Sequence, residues 1–408
     1  MKKLFPLSFL ILALLHYSNS SAQSILKDGT WNCVLNLTTD AQLPFKLTVT
    51  DSSGIKKLFI VNGIEKIPVH SYREKGDSVF IIPSVFQTEI RAKLISDNGN
   101  QYLQGMFIDY ARKGDYRIPF SANNLPDIQE ATNSSNFFTG KWEVHFSPGT
   151  EDSSSAIGIF NQKENNITGT FLTTTGDYRY LSGRTFTDQM ILSAFDGAHL
   201  FLFSAQKQND GTIKGEFWSG RHSHENWIAK RNDNFQLPEA DKLTYLKDGF
   251  NSISFSFPDA DSNIISMSDA RFKNTVTLVQ VTGSWCPNCM DETRVLVPLY
   301  NSNHSKGLEV VALDFERKND WSYIQKSLRH EKEVFNISYP VLFAGLTTNS
   351  SASLPMLNKI MGYPTLIIID KKGVVRKIIT GIDGPATGDS YEKWKDDLTG
   401  FVQKLLEE

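Results

Sequence analysis

The stretch TVTLVQVTGSWCPNC, from Thr275 to Cys289, decides the fold of this chain. Its first part, Thr275 to Val281, is a β-branched and largely apolar run, which predicts a strand buried on both faces, as in a parallel sheet. The residues from Met290 to Tyr300 carry an apolar stripe that predicts an amphipathic helix beginning near Cys286. Two cysteines three positions apart therefore lie at a strand-to-helix junction, and this position favours dithiol chemistry.

The predicted helix start explains how such a pair would react. Cys286 would lie among the unpaired N–H groups at the positive end of the helix dipole, where a thiolate is stabilised relative to a thiol. Cys286 is therefore the predicted nucleophile, and Cys289, one helical turn deeper, would resolve the mixed disulfide. Pro287 suits the first helical turn, where its missing N–H costs nothing.

Two other interpretations of the Cys-x-x-Cys pair stay open at this point. Half of a zinc site is one, although zinc usually takes four ligands and the sequence offers only one further cysteine, Cys33. A purely structural disulfide is the other, although so short a loop constrains the unfolded chain little.

The 408-residue chain exceeds what one hydrophobic core usually serves, so two or three domains are expected. Lys2 and Lys3 precede an apolar run from Leu4 to Leu15 and the small residues Ser20-Ser21-Ala22, which together predict a secretory signal over residues 1–22, cut before Gln23. The apolar run is short for a membrane span. Export to the periplasm or cell envelope is therefore predicted, a compartment in which disulfides persist.

Charge and cysteine content exclude several function classes. The formal net charge is −3, and no basic patch argues for nucleic-acid binding. Three cysteines, two of them in one motif, are too few for a disulfide-stabilised secreted scaffold. Cys33 lies in an alternating, strand-like stretch, where a buried inert thiol is the simplest interpretation and a regulatory or intermolecular role is the alternative.

The first half of the chain shows a repeat. Residues 24–233 are short alternating runs separated by turn residues, which is typical of antiparallel β structure. Gly29-Thr30-Trp31 recurs as Gly140-Lys141-Trp142, and Gly105-Met106-Phe107 recurs as Gly215-Glu216-Phe217, at offsets of 111 and 110 residues. The sequence therefore predicts two similar β modules, each a barrel or a sandwich, over residues 24–124 and 137–233.

From residue 245 onward, strand-like runs alternate with helical ones, which predicts a mixed α/β sheet over residues 245–408. Predicted strands include Ile253 to Phe257, Leu308 to Leu313 and Leu366 to Ile369, and a final helix is predicted from Tyr391 to Leu406. The predicted fold class is thus α+β and multidomain, with a C-terminal α/β domain preceded by two antiparallel all-β modules.

Four features of residues 249–408 resemble the TlpA/ResA-like branch of the thioredoxin superfamily, which comprises exported thiol-disulfide oxidoreductases. These features are the strand followed by Trp285-Cys286-Pro287-Asn288-Cys289, Glu292 three residues later, Gly362-Tyr363-Pro364-Thr365 before a strand, and Asp370-Lys371-Lys372-Gly373 turning into the next. The resemblance implies a thioredoxin-like fold for this segment and leaves the first 240 residues outside it.

The resemblance also implies roles for individual residues. Pro364 would be a cis-proline facing the disulfide, with Trp285, Tyr363 and Thr365 beside it binding substrate, where the alternative is an ordinary trans-proline. Glu292 would be a carboxyl with raised pKa that takes a proton as the resolving thiol attacks, where the alternative is a solvated acid like its neighbour Asp291. A Ser-rich insertion at 345–358 precedes the Pro364 loop.

The predicted function is an exported thiol-disulfide oxidoreductase that exchanges its Cys-Pro-Asn-Cys pair with disulfide-bearing or dithiol envelope proteins and acts as a reductant. A membrane electron donor is expected to re-reduce the pair, and neither a metal nor an organic cofactor is expected. A second hypothesis makes the protein an envelope binding or scaffold protein in which the β modules bind a ligand or partner. Peroxide reduction through Cys286 is a third hypothesis, disfavoured because the tight pair suits dithiol exchange.

Overall fold

The structure is a computed structural model that describes residues 26–83, 85–112, 114–127, 136–239 and 242–408. The predicted signal segment, residues 1–22, lies outside the described residues, and so does most of the stretch between the two predicted β modules, residues 125–136. No helix among the described residues is long and apolar enough to cross a membrane.

Within the described part of the chain, residues 29–123 form one open, antiparallel sheet of nine strands that curves as half of a barrel, in the order β4-β3-β2-β1-β9-β8-β7-β6-β5. Its strands are β1 Gly29–Asn36, β2 Gln42–Ser52, β3 Ile55–Asn62, β4 Glu65–Pro68, β5 Ser71–Lys75, β6 Ser78–Ile82, β7 Thr88–Asp97, β8 Asn100–Asp109 and β9 Arg117–Asn123.

Residues 140–231 form a second antiparallel sheet, which closes on itself because β11 pairs with both β10 and β12. In the described residues the closed barrel has eight strands, and a short ninth strand, β13, pairs antiparallel with the end of β12. The strands are β10 Gly140–Phe146, β11 Ser154–Lys163, β12 Asn166–Thr173, β13 Gly176–Asp177, β14 Leu181–Phe186, β15 Gln189–Phe195, β16 Leu200–Lys207, β17 Ile213–Ser219 and β18 Ser223–Arg231.

The predicted repeat is visible in the two sheets. The first strand of each, β1 or β10, pairs with the second strand and with the last. Trp31 and Trp142 are fully buried, and each indole N–H donates to the carbonyl four residues upstream, over 3.0 and 2.9 Å. Gly105 and Gly215 lie where a Cβ would overlap the neighbouring strand, so both positions require glycine. The sequence repeat therefore encodes a repeated strand order.

The barrel interior is filled with aromatic side chains. The ring centroids of Phe171 and Phe203 are 4.4 Å apart, and those of Phe203 and Phe217 are 4.3 Å apart. Such stacking supplies both buried apolar area and specific ring geometry. The centre of this module is therefore a packed core.

The C-terminal part contains the predicted mixed sheet, in the order β23-β22-β21-β24-β25. Strand β21 pairs in parallel with β22 and antiparallel with β24. The elements of this part are β19 Ser256–Pro258, β20 Ile264–Ser266, β21 Val276–Thr282, α1 Pro287–Asn303, β22 Leu308–Glu316, α2 Trp321–Phe335, β23 Val341–Leu346, α3 Ser350–Ser353, β24 Thr365–Ile369, β25 Val375–Thr380 and α4 Asp389–Glu407. The predicted fold class is confirmed, while the domain boundaries stay a prediction.

One predicted strand is mostly wrong. Of the run Ile253 to Phe257, only the end lies in a strand, β19, which pairs with β20 in a short hairpin. Ile253 and Phe255 are buried, whereas Ser254 and Ser256 are exposed, so the alternation reflects burial of one side of the chain. Ile253 to Phe255 pair with no strand of the described residues.

Candidate active site

Cys286 and Cys289 form a disulfide at the start of α1. Cys286 is the N-cap residue of this helix, Pro287 occupies the first helical position, and the Cys286 Sγ accepts a hydrogen bond from the Cys289 N–H over 3.2 Å. A thiolate at this position would accept the same N–H and face the positive end of the helix dipole. The predicted helix start at Cys286 is confirmed.

The two sulfurs differ in access. Cys286 is 4% exposed, whereas Cys289 is completely buried. Strand β21, fully buried along its length, ends four residues before Cys286, so the pair is held between a core strand and a core helix. Both residues are buried, and Cys286, the predicted nucleophile, is the less buried of the two.

Two of the predicted substrate-binding residues, Trp285 next to Cys286 and Tyr363 next to Pro364, contact each other. The Tyr363–Pro364 peptide bond is cis, as the resemblance implies, and Pro364 is buried. The rings of Trp285 and Tyr363 meet edge to face, with centroids 5.2 Å apart, and the Trp285 indole N–H donates to the Phe315 carbonyl over 2.8 Å. Thr365 is fully buried and its hydroxyl donates to the Gly362 carbonyl, so this hydroxyl supports the loop from within.

Glu292 is completely buried one turn after Cys289. Burial raises the pKa of its carboxyl to about 8, and the nearby Gln280 side chain opposes this rise. The Gln280 amide also donates to the Cys289 carbonyl over 3.3 Å. The alternative interpretation, a solvated acid, is wrong for Glu292, and it is equally wrong for Asp291, which is 3% exposed.

Comparison with known proteins identifies this part of the chain. The model of the AhpC/TSA family matches residues 250–378. The thiol:disulfide interchange protein DsbE of Pseudomonas aeruginosa is 23% identical over 155 residues, which cover 38% of this chain and 75% of that protein. The thiol-disulfide oxidoreductase ResA of Bacillus cereus is 23% identical over 152 residues, or 37% of this chain and 75% of that protein. The C-terminal part is a thioredoxin-like, ResA-like thiol-disulfide oxidoreductase domain.

Solved structures resemble the same share of the chain. A thioredoxin-family thiol:disulfide interchange protein from Chlorobium tepidum is 23% identical, with a TM-score of 0.31, and the match covers 38% of this chain and 95% of that one. A thiol-disulfide oxidoreductase from Bacteroides fragilis is 20% identical, with a TM-score of 0.28, over 38% of this chain and 99% of that one.

Sequence reasoning missed a group of buried carboxyls in the oxidoreductase domain. Asp314 and Glu316 on β22 and Glu331 on α2 are all completely buried. Burial, followed by the charge of Glu316, raises the pKa of Glu331 to about 8, and burial raises the pKa of Asp314 and of Glu316 as well. The detectable signal was the alternation in Leu313 to Glu316, where two acids interrupt an apolar strand.

The sequence also gave no sign that the β modules cover the redox pair. Residues 174–178, between β12 and β14, lie against the Pro364 loop and the start of α1. At the start of α1, the Asn288 amide donates to the Asp177 carbonyl over 3.3 Å. At the Pro364 loop, a methyl group added at Gly362 would lie 2.9 Å from the Cβ of Thr175. We call residues 174–178 the covering segment. From the first sheet, Phe86 packs on Met290, next to Cys289. Both β modules thus contact the oxidoreductase domain at its reactive end.

Arg179, directly after the covering segment, joins all three parts of the molecule. It is buried and pairs with Asp291 of α1, with Glu65 of the first sheet over 2.7 Å, and with Asp196 of the barrel over 3.5 Å. Burial opposes the charge of Arg179, but the surrounding carboxylates, Asp291 first among them, outweigh burial and raise its pKa. A guanidinium with several donors is the side chain suited to satisfy three acids at once.

Proposed function

We propose that this protein is an exported thiol-disulfide oxidoreductase that reduces disulfides of envelope proteins through a Cys286 mixed disulfide. The observation that carries the proposal is the position of the Cys286 Sγ at the N-cap of α1, where it accepts the Cys289 N–H over 3.2 Å. This environment lowers a thiol pKa and so increases the thiolate fraction at neutral pH.

The proposed reaction conserves electrons in two exchange steps. The Cys286 thiolate attacks one sulfur of the substrate disulfide, so that the substrate S–S bond breaks, a mixed disulfide forms and one substrate thiolate leaves. Cys289, deprotonated, then attacks the Cys286 Sγ, which releases the second substrate thiolate and leaves the Cys286–Cys289 disulfide seen here. Two electrons pass from the enzyme dithiol to the substrate, and a membrane donor is proposed to restore them.

Glu292 is proposed to move the proton of the resolving thiol. A residue three positions after Cys289 lies on the same helical face, with Cβ atoms roughly 5–6 Å apart. With a pKa of about 8, the Glu292 carboxyl exchanges protons near neutral pH, in the range where a thiol also titrates. Pro364, Trp285 and Tyr363 are proposed to hold the substrate segment beside the disulfide.

Trapping the intermediate tests the proposal. Cys289→Ser removes the resolving thiol, so a substrate disulfide is expected to remain attached to Cys286 and to appear as an adduct that dithiothreitol releases. Cys286→Ser should form none, and Cys33→Ser is the matched control, because Cys33 is 1% exposed and should leave exchange unchanged. Absence of any adduct with Cys289→Ser, together with peroxide consumption by the unaltered protein, would favour the peroxidase hypothesis instead.

The binding hypothesis is supported by a cavity of about 480 Å³ between the two β sheets. Its lining includes Phe45, Phe186 and Ile191, and its volume lies within the roughly 300–1,000 Å³ typical of small-molecule sites. A Cys286→Ser, Cys289→Ser double variant that still fulfils the cellular role of the protein would establish binding as the main function.

Fractionation and N-terminal sequencing of the mature chain test export and cleavage before Gln23.

A further inference from the structure

A cavity of about 360 Å³ lies where the two β modules meet the oxidoreductase domain. Ser284 and Trp285, the two residues before Cys286, form one wall. Arg112 from the first sheet and His199 and Phe217 from the barrel form others. The size is at the lower end of the roughly 300–1,000 Å³ of small-ligand sites. The cavity therefore has room for a small molecule or a few residues of extended chain against the two residues that precede the redox pair.

The covering segment limits what else can approach the pair. Thr175 lies against both Gly362 and Gly381, on either side of the Pro364 loop, and Asn288 of the Cys-Pro-Asn-Cys motif is bonded to Asp177. A folded protein surface cannot dock on the Pro364 loop where this segment already lies. A substrate that reaches Cys286 in this arrangement has to be narrow.

Two arginines, Arg112 and Arg317, and two acids, Asp109 and Glu225, line the cavity, and they differ in their partners. Asp109 is paired with Arg112 over 3.2 Å and also attracts Arg317, and Glu225 accepts the neutral Ser147 hydroxyl over 2.7 Å. The Arg317 guanidinium lies 3.9 Å above the Trp285 ring and, within the described residues, has neither a hydrogen bond nor an ion pair. Arg317 thus offers its donors to a ligand directly beside the residue that precedes Cys286.

We infer that this cavity is a substrate site for a disulfide that bears carboxylates, carried on a small molecule or on an extended peptide. The inference rests on the proposed function and adds its substrate class. A ligand carboxylate pairs with Arg317 while the ligand disulfide reaches Cys286. The Cys286 thiolate then breaks the ligand S–S bond, one ligand thiolate leaves, and attack by Cys289 releases the other, so that the ligand gains the two electrons that the enzyme dithiol loses.

Single-turnover kinetics of the reduced full-length protein test this inference. Three small disulfides serve as probes: oxidised glutathione, which carries carboxylates; bis(2-hydroxyethyl) disulfide, which is neutral; and cystamine, which is cationic. Oxidised glutathione is expected to react about tenfold faster than cystamine, as one favourable charge pair predicts. Arg317→Gln is expected to lower the ratio of the glutathione rate to the neutral-disulfide rate by about the same factor. High salt should reduce the preference.

The matched control is Arg73→Gln, because Arg73 also stacks on an aromatic ring, Phe80, but lies outside the cavity. It should leave the ratio unchanged. A disulfide-bridged acidic peptide that outpaces oxidised glutathione would identify an extended chain as the source, and the reverse order would identify a small molecule. Exchange without charge preference, or an equal effect of Arg317→Gln on all three probes, would overturn the inference. Failure to react with any disulfide would instead overturn the proposed function.

Discussion

Two groups of buried carboxyls, one around Arg179 and the other inside the oxidoreductase domain, differ in whether a cation accompanies them. Glu65, Asp196 and Asp291 surround the Arg179 guanidinium. Glu292 and Glu331 are equally buried, but burial dominates their surroundings and raises their pKa values to about 8. Acidic side chains therefore contact a shared cation in one place, whereas in the other place Glu292 and Glu331, with raised pKa values, hold protons at neutral pH.

The largest expected effect comes from removing the shared cation. Arg179→Ala removes the cation that Glu65, Asp196 and Asp291 share. Because Arg294 still pairs with Asp291 and His199 with Asp196, we expect the lower end of the about 3–5 kcal/mol of unfolding free energy that breaking a buried pair costs. Urea denaturation followed by intrinsic fluorescence measures it. The control is Arg117→Ala, whose exposed pair with Asp115 is worth about 0–1 kcal/mol. Equal midpoints for the two variants would show that the Arg179 cluster does not stabilise the fold.

The buried acids with raised pKa values, Glu292 and Glu331, should make the protein less stable as the pH rises. Glu292 and Glu331 keep their protons in the folded state up to about pH 8, whereas the unfolded chain releases them near pH 4.3. Between these values the unfolded state binds fewer protons, so the unfolding free energy falls by about 1.4 kcal/mol per pH unit for each group.

Glu292→Gln should remove one such contribution to the slope, as measured by denaturation between pH 5 and pH 8. The control, Glu392→Gln, changes an exposed acid on α4 and should keep the original slope. A slope that Glu292→Gln leaves intact would show that Glu292 is ionised in the folded protein at neutral pH.

Replacing only Asp196, one of the three acids around Arg179, should lower the unfolding free energy by less than Arg179→Ala does. Burial alone would raise the pKa of Asp196, but His199 and then Arg179 outweigh burial and lower it to about 2. Because the folded pKa lies below the unfolded value, Asp196 adds stability at neutral pH, roughly 2 kcal/mol, which is lost as the pH falls from about 4 through 2. Asp196→Asn should therefore destabilise the protein at pH 7, whereas Asp188→Asn, an exposed acid, should not. Equal stability of both variants would contradict this prediction.

The smallest effect is expected where paired charges are exposed. Lys393 and Asp397 lie one turn apart on α4 with 2.6 Å between their charged atoms, and both side chains are largely solvated. Lys393→Ala should cost only about 0.3–0.5 kcal/mol, and less in 1 M salt. A loss above 1 kcal/mol that persists in high salt would mean that burial is not what separates strong from weak pairs in this molecule.

The sequence was sufficient for the oxidoreductase fold, because its signals are local. The run Thr275 to Val281, the Cys-x-x-Cys pair and the Pro364 loop each predict an element and its neighbour, and the sheet order follows. The repeat of Trp31 and Trp142 likewise predicted two β modules. It could not predict that only one of them closes: β5, Ser71–Lys75, alternates between exposed and half-exposed residues, so it has no apolar face with which to continue a barrel.

The environment of the site was less predictable, because its contacts are long-range. Arg179 meets Asp291 across 112 residues and Glu65 across 114, and no periodic pattern links such positions. Glu292 was recognised as a candidate by its place after Cys289, but Glu331 carries no such mark in an otherwise amphipathic helix. Residue type shows that a charge exists, and only packing shows whether it has a partner.

The burial of Cys33 has a practical consequence for redox titrations. Cys33 is 1% exposed, and burial raises the pKa of its thiol, so it is almost entirely protonated at neutral pH. An alkylating reagent applied to the native chain should therefore leave Cys33 unlabelled, so that any label gained on reduction lies on the active pair, and the native oxidised chain should gain none. Counting labels by intact mass then gives the oxidation state of the active pair directly, in the unmutated protein and against any chosen redox buffer.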